Sequence, residues 1–137
     1  MRAEQLDQVT LHVRNLEESM GFFSEVLGIT FLAPFEANIG GQKVRFAMST
    51  VGIGLAQPEQ LAEEGVRAVG IKVDDMEELK RKLLDRGLKP IVDLKTKNFH
   101  EVQYVIGGVR FNFGQYQPAP APNRILALRL LGDFKDA

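Results

Sequence analysis

The chain has 137 residues, 45% hydrophobic and 26% charged, the size of one ordinary domain able to bury about two-thirds of its unfolded surface. It contains no cysteine, which excludes disulfides, thiolate nucleophiles and zinc ribbons, and its formal charge of −1 offers no basic footprint for nucleic-acid phosphates. The opening MRAEQLDQ has no hydrophobic signal region, and no apolar run approaches the roughly 20 residues of a membrane span, so the reading is a cytoplasmic protein with neither nucleic acid nor membrane as partner.

In chain order, the first predicted element is a strand in LDQVTLHV, Leu6 to Val13. Its alternation puts Val9, Leu11 and Val13 on one face and Gln8, Thr10 and His12 on the other. A turn at Arg14-Asn15 leads to a helix over about Leu16 to Leu27, with Asn15 as N-cap, Glu17 and Glu18 in the first turn, and Leu16, Met20, Phe23 and Leu27 at helical spacing. Gly28 stops it. Three strand-like segments follow: ITFLAPF, then KVRFAM after Gly40-Gly41, then VGIGLAQ.

The pattern then repeats. VGIKVDDMEEL, Val69 to Leu79, overlays VTLHVRNLEES, Val9 to Ser19, at an offset of 60. Val69, Ile71 and Val73 take the places of Val9, Leu11 and Val13, and Asp75 caps a second helix over about Met76 to Arg86. Met76, Leu79, Leu83 and Leu84 supply its apolar face, and its charged run reads as a solvated face. LKPIVDL, HEVQYVI and VRFNFGQY complete the module. Two βαβββ halves are expected to pack into one α+β domain over residues 1–117, module one at about 6–57 and module two at about 66–116, as a curved mixed sheet with helices on one face and a cavity on the other. Residues 118–137 read as a Pro-rich linker and a short apolar segment that packs back on the domain or on a second subunit.

The doubled module, the opening LDQVTLHVRNLEESMGFFSEVLGITF and the closing GGVRFNFGQY resemble the vicinal oxygen chelate superfamily, the glyoxalases, bleomycin resistance proteins and dioxygenases, over about Leu6 to Tyr116. The resemblance implies this fold, a homodimer and a small-molecule ligand. In the family's metal enzymes four ligands project from four strands, and the matching positions here are Gln8, Gly54, Ala68 and Asn112. Two neutral amides and two residues without a side-chain donor do not make a metal site, so no metal and no cofactor is expected. A shift of one residue would offer Asp7 or Gln57 but would invert the strand faces.

The expected ligand-binding set is Gln8, Thr10, His12, Gly54, Ala68, Lys72, Arg110 and Asn112, with small residues making room where metal enzymes place ligands. His12 admits two readings: a partly exposed histidine at a strand end, or a ligand contact and the one candidate for acid-base work. Lys72 and Arg110 read as rim charges or, with His12, as selectors of a ligand carboxylate. Arg45 and His100 read as surface. Phe31, Phe35, Phe46 and Phe99 are candidates for an apolar wall or for core. Serine triads and phosphate loops find no supporting motif. Three functions follow in order: metal-free sequestration of a small, largely apolar molecule; a metal-independent isomerase, cyclase or lyase using His12; and a metal-dependent glyoxalase- or dioxygenase-like enzyme.

Overall fold

A computed structural model describes residues 1–116, apart from 40, 62, 97 and 98. The segment expected at 118–137 lies outside the described residues. The elements run β1 (Ala3–His12), α1 (Leu16–Leu27), β2 (Phe35–Ile39), β3 (Gln42–Met48), β4 (Ile53–Pro58), β5 (Gly65–Val73), α2 (Met76–Asp85), β6 (Val92–Thr96), β7 (Phe99–Ile106) and β8 (Val109–Tyr116). This is the expected α+β arrangement of two βαβββ modules with mixed strand pairing. Among the described residues no helix is long and apolar enough to cross a membrane.

Contacts divide the chain into two compact units. Among the described residues, the first-repeat unit runs from Gln8 to Arg67, and the second-repeat unit joins Met1–Asp7 to the chain from Ala68 to Tyr116. In the first, the strands lie in the order β2-β3-β4-β1, with β1 and β4 parallel and β3 antiparallel to both its neighbours. In the second, the order is β5-β8-β7-β6, with β5 and β8 parallel and the others antiparallel. There the start of β1 is tied down by Arg2, whose N–H donates to Asp74 Oδ1 at 2.6 Å, and by an ion pair of Glu4 with Lys72 at 3.0 Å.

The helices form where caps and apolar spacing agree. Asn15 and Asp75 both have extended backbone, and their side-chain oxygens accept from Glu18 N at 3.0 Å and Glu78 N at 3.1 Å, satisfying one otherwise orphaned donor in each first turn. A second acceptor comes from the last strand of each module. Gln57 Oε1 accepts from Leu16 N at 2.7 Å, and Gln115 Oε1 accepts from Met76 N at 2.8 Å. Both helices end with a positive-φ glycine, Gly28 at 65° and Gly87 at 79°, after which Ile29 N and Leu88 N reach back to Phe23 O and Leu83 O.

Each helix closes its own core. Leu16, Ile29, Phe31, Ala47 and Leu55 are buried in the first unit with Leu11, Met20 and Phe23 packed against them; Val73, Met76, Leu79, Val102, Tyr104 and Phe113 do the same in the second. A fully buried side chain such as Leu16 or Leu55 contributes about 1.5–3 kcal/mol. Two expectations for the apolar stripes are corrected. Leu27 is exposed because the chain reverses at Gly28 and Ile29 enters the core instead, and Leu84 is exposed because it lies well off the Met76-Leu79-Leu83 line. Two strand starts also move. Pairing at ITFLAPF shrinks to a bridge of Phe31 with Ser49 before β2 begins at Phe35, and LKPIVDL pairs as a strand only from Val92. Pro34 and Pro90 account for both, since proline lacks an N–H and restricts the residue before it.

Candidate functional site

Direct cross-strand partners share a sheet face, so the pairing register assigns each side chain to a side. In the first-repeat unit Leu11 pairs with Leu55 and Leu55 with Ala47, all three against α1. The alternate residues take the opposite face. Thr10 pairs with Gly54 and Gly54 with Met48, while His12 pairs with Ala56, Ala56 with Phe46, and Phe46 with Phe35. Gln8 joins this row by donating Nε2 to Thr10 Oγ1 at 3.0 Å. The polar row Gln8, Thr10, His12 therefore runs along one margin of an apolar wall.

Phe35 and Phe46 make that wall aromatic. Their rings stack with centroids 5.3 Å apart at 20°, and both remain partly exposed. Phe31, the other first-module candidate, is core. A Cβ at Gly54 would run into Gln8 Nε2, so the absence of a side chain at 54 is what lets the Gln8 amide lie across β4 in its present position.

On the second-repeat unit, Ile71, Phe111 and Phe113 pack toward the core under α2. The other face carries Ala68 paired with Arg110, Gly70 with Asn112, and Lys72 with Gly114. Across β8 the row continues from Arg110 to Val105, from Asn112 to Gln103, and from Gly114 to Glu101. Glu101 and Gln103 thus belong to the face of Ala68, Lys72, Arg110 and Asn112. Gln103 Nε2 donates to Glu101 Oε2 at 3.3 Å, and Arg110 Nη1 donates to Gln103 Oε1 at 3.3 Å. Lys72 is held by Glu4. Near the end of the row, Phe99 stacks on Tyr116 with centroids 5.7 Å apart, and Tyr116 donates its hydroxyl to the buried Asp7 carboxylate.

Sequence reasoning passed over Glu101 and Gln103 because polar residues fall on both faces of FHEVQYVI. The signal was the pair Val102 and Tyr104, whose burial in the core sends Glu101 and Gln103 the other way. His100 was expected at the surface and is buried: it shares the α2 side with Val102, and its Nε2 lies 2.7 Å from Asp93 Oδ1. Lys80 Nζ reaches the other Asp93 oxygen at 2.6 Å and, ahead of His100, holds that carboxyl below its ordinary range. Arg45 pairs with Glu17 on α1 and lowers that carboxyl in the same way. Arg45 also lines, with Arg14, Lys43, Glu36 and Glu59, a cleft of about 340 Å³ beside the start of α1; none of the eight residues expected to bind ligand borders it.

A divalent cation does not fit the positions that the resemblance assigns to metal ligands. The first-repeat unit presents Gln8 and Gly54 there, and the second presents Ala68 and Asn112, one neutral amide apiece. Among the described residues no three of His, Cys, Asp and Glu stand together as a metal site.

A family model described as the Glyoxalase/Bleomycin resistance protein/Dioxygenase superfamily matches residues 5–111. No curated protein sequence matches significantly. Among solved structures, methylmalonyl-CoA epimerase from Mycobacterium tuberculosis is similar with a TM-score of 0.69 and 16% identity, over 88% of this chain and 93% of that one. A variant of the Streptomyces coelicolor methylmalonyl-CoA epimerase in complex with 2-nitronate-propionyl-CoA gives 0.66 and 15%, over 85% and 97%. A variant of 4-hydroxymandelate synthase from Streptomyces coelicolor gives 0.69 and 14%, over 92% of this chain and 52% of that one. At these identities the likeness is one of fold.

Proposed function

The chain belongs to the Glyoxalase/Bleomycin resistance protein/Dioxygenase superfamily, and from that premise we propose that it binds a small, largely apolar organic molecule on the aromatic face of its first-repeat unit, without a metal. The observation that carries this reading is the line His12-Ala56-Phe46-Phe35, which sets a partly exposed aromatic stack beside a row of three polar side chains. An apolar body would lie on Phe46, Phe35 and Met48, where each 100 Å² of buried area favours binding by about 2.5 kcal/mol before association costs. Its polar end would meet Gln8, Thr10 and His12. With Nε2 committed to Thr10, Gln8 presents Oε1 to a ligand donor, and the Thr10 hydroxyl keeps its own proton to donate.

On the second-repeat unit, Lys72, Arg110 and Asn112 are assigned to polar ligand contacts, with Ala68 making room beside them. A homodimer in the cytoplasm completes the reading, and light scattering on the purified chain decides its oligomeric state.

The test uses 8-anilinonaphthalene-1-sulfonate, whose fluorescence rises on an apolar surface, together with metal analysis of protein purified without chelator. Saturable binding is expected, weakened about tenfold or more by Phe46→Ala, in protein free of stoichiometric metal. Unchanged affinity in Phe46→Ala, or one bound zinc, nickel, iron or manganese per chain, would overturn the reading. Turnover of a bound compound that vanishes in His12→Ala while binding persists would replace the carrier with an enzyme.

A further inference from the structure

Asn112 stands in a place where its side chain ought to be satisfied and is not. The residue is 9% exposed, and its Oδ1 has no hydrogen-bond partner among the described residues. Register sets Gln103 directly opposite on β7 and Gly70 directly opposite on β5. Gln103 is the neighbour whose amide would ordinarily supply a donor, yet its Nε2 is directed to Glu101 and its Oε1 accepts from Arg110. Gly70 has no side chain with which to reach across. A buried carbonyl in this position raises the energy of the fold until some donor arrives, because its lost hydration has not been replaced.

The surroundings restrict what that donor is. An ionised carboxylate has no proton to give to Oδ1, and an ether has none either, whereas neutral groups carrying O–H or N–H do. The neighbours across β5, Ala68 and Gly70, are buried and small and offer no side-chain donor in their place.

We infer that Asn112 Oδ1 is an acceptor for the hydroxyl or amide N–H of a neutral ligand, so that the polar face of the second-repeat unit selects alcohols, phenols and amides over ethers of the same shape. Gln103, whose amide is directed to Glu101 and Arg110, makes no hydrogen bond to Oδ1. This inference stands on the second-repeat unit alone and is independent of probe binding to the aromatic face.

The experiment is an NMR titration of ¹⁵N-labelled full-length protein with benzyl alcohol and with benzyl methyl ether, run on the parent, Asn112→Leu and Asn112→Ser. The alcohol is expected to bind about tenfold more tightly than the ether, and to shift the Asn112 side-chain amide and the Gly70 amide. That preference should disappear in Asn112→Leu, which keeps the branched shape and removes the acceptor, and persist in part in Asn112→Ser, which keeps an oxygen. Equal affinities in the parent would mean that water satisfies Oδ1 and would overturn the inference. So would a preference that survives in Asn112→Leu, or an absence of binding by either compound at millimolar concentration. Failure of the fluorescent probe to respond to Phe46→Ala would leave these outcomes untouched.

Discussion

Replacing Gln115 by alanine deletes two hydrogen bonds at the start of α2: the one its Oε1 accepts from Met76 N at 2.8 Å and the one its Nε2 donates to Asp74 O at 2.9 Å. Met76 is fully buried, so its N–H loses its partner in a place that water reaches poorly, at about 1–2 kcal/mol. The bond to Asp74 is exposed and adds about 0.5 kcal/mol. Gln115→Ala should therefore cost about 2 kcal/mol, and Gln57→Ala, which removes the single bond to the equally buried Leu16 N, about 1.5 kcal/mol. With a urea m-value of about 2 kcal/mol/M, the unfolding midpoints should fall by about 1 M and about 0.7 M, at unchanged m, read by far-ultraviolet circular dichroism. Gln115→Glu keeps an acceptor for Met76 N but gives up the donor to Asp74, so it should recover more than half of the loss. A midpoint shift of less than about 0.15 M in either alanine variant would refute the reasoning, because it would mean the Asx caps and solvent already satisfy the first turns.

Two further predictions concern the faces on either side of the sheet. Gly54→Ala should cost about 1 kcal/mol by displacing the Gln8 amide from Thr10, and should cost almost nothing in a Gln8→Ala background; equal losses in both backgrounds, measured by urea denaturation, would separate Gly54 from Gln8. The Asp93 carboxyl, held low chiefly by Lys80, contributes stability that is present above the unfolded carboxylate pKa of about 4 and is lost as pH falls through its lower folded value. Lys80 is raised by the same contact, so its share is present below about pH 10.4 and is lost as pH rises through its folded pKa. The Lys80 share of the stability gap between the parent and Asp93→Asn, below about 1 kcal/mol for a partly exposed pair, should shrink as pH falls below about 4 and as it rises past about 10. A gap unchanged at about pH 3 would argue that the carboxylate charge contributes nothing.

Much of the fold was legible because the cues are local. Asn15 and Asp75 announce helix starts, Gly28 and Gly87 announce their ends, and the alternation of Val9, Leu11 and Val13 assigns the faces of β1. The face of Gln8, Thr10 and His12 was legible for the same reason, and Gln8 and Thr10 are indeed joined. What escaped depends on partners distant in the chain. Nothing near Gln57 or Gln115 indicates that each will hold a helix about forty residues earlier, and nothing near Asp7 points to Tyr116. His100 looked like a surface residue because its burial rests on Asp93 and Lys80 closing over it from β6 and α2. Glu101 and Gln103 required knowing which face of β7 meets the core, and that knowledge came only from packing.

The matched glutamines also distinguish two kinds of position in the repeated module. Both copies keep the same residue for pinning strand to helix, at equivalent places beyond Gly54 and Asn112. At the positions turned away from the helices the copies agree nowhere: Gln8 answers to Ala68, Thr10 to Gly70, His12 to Lys72, and Gly54 to Asn112. Attachment is common to the two halves, whereas the side chains turned away from the helices are particular to each. One half can therefore acquire a new chemical preference while the parts that assemble it, and its twin, are left as they are.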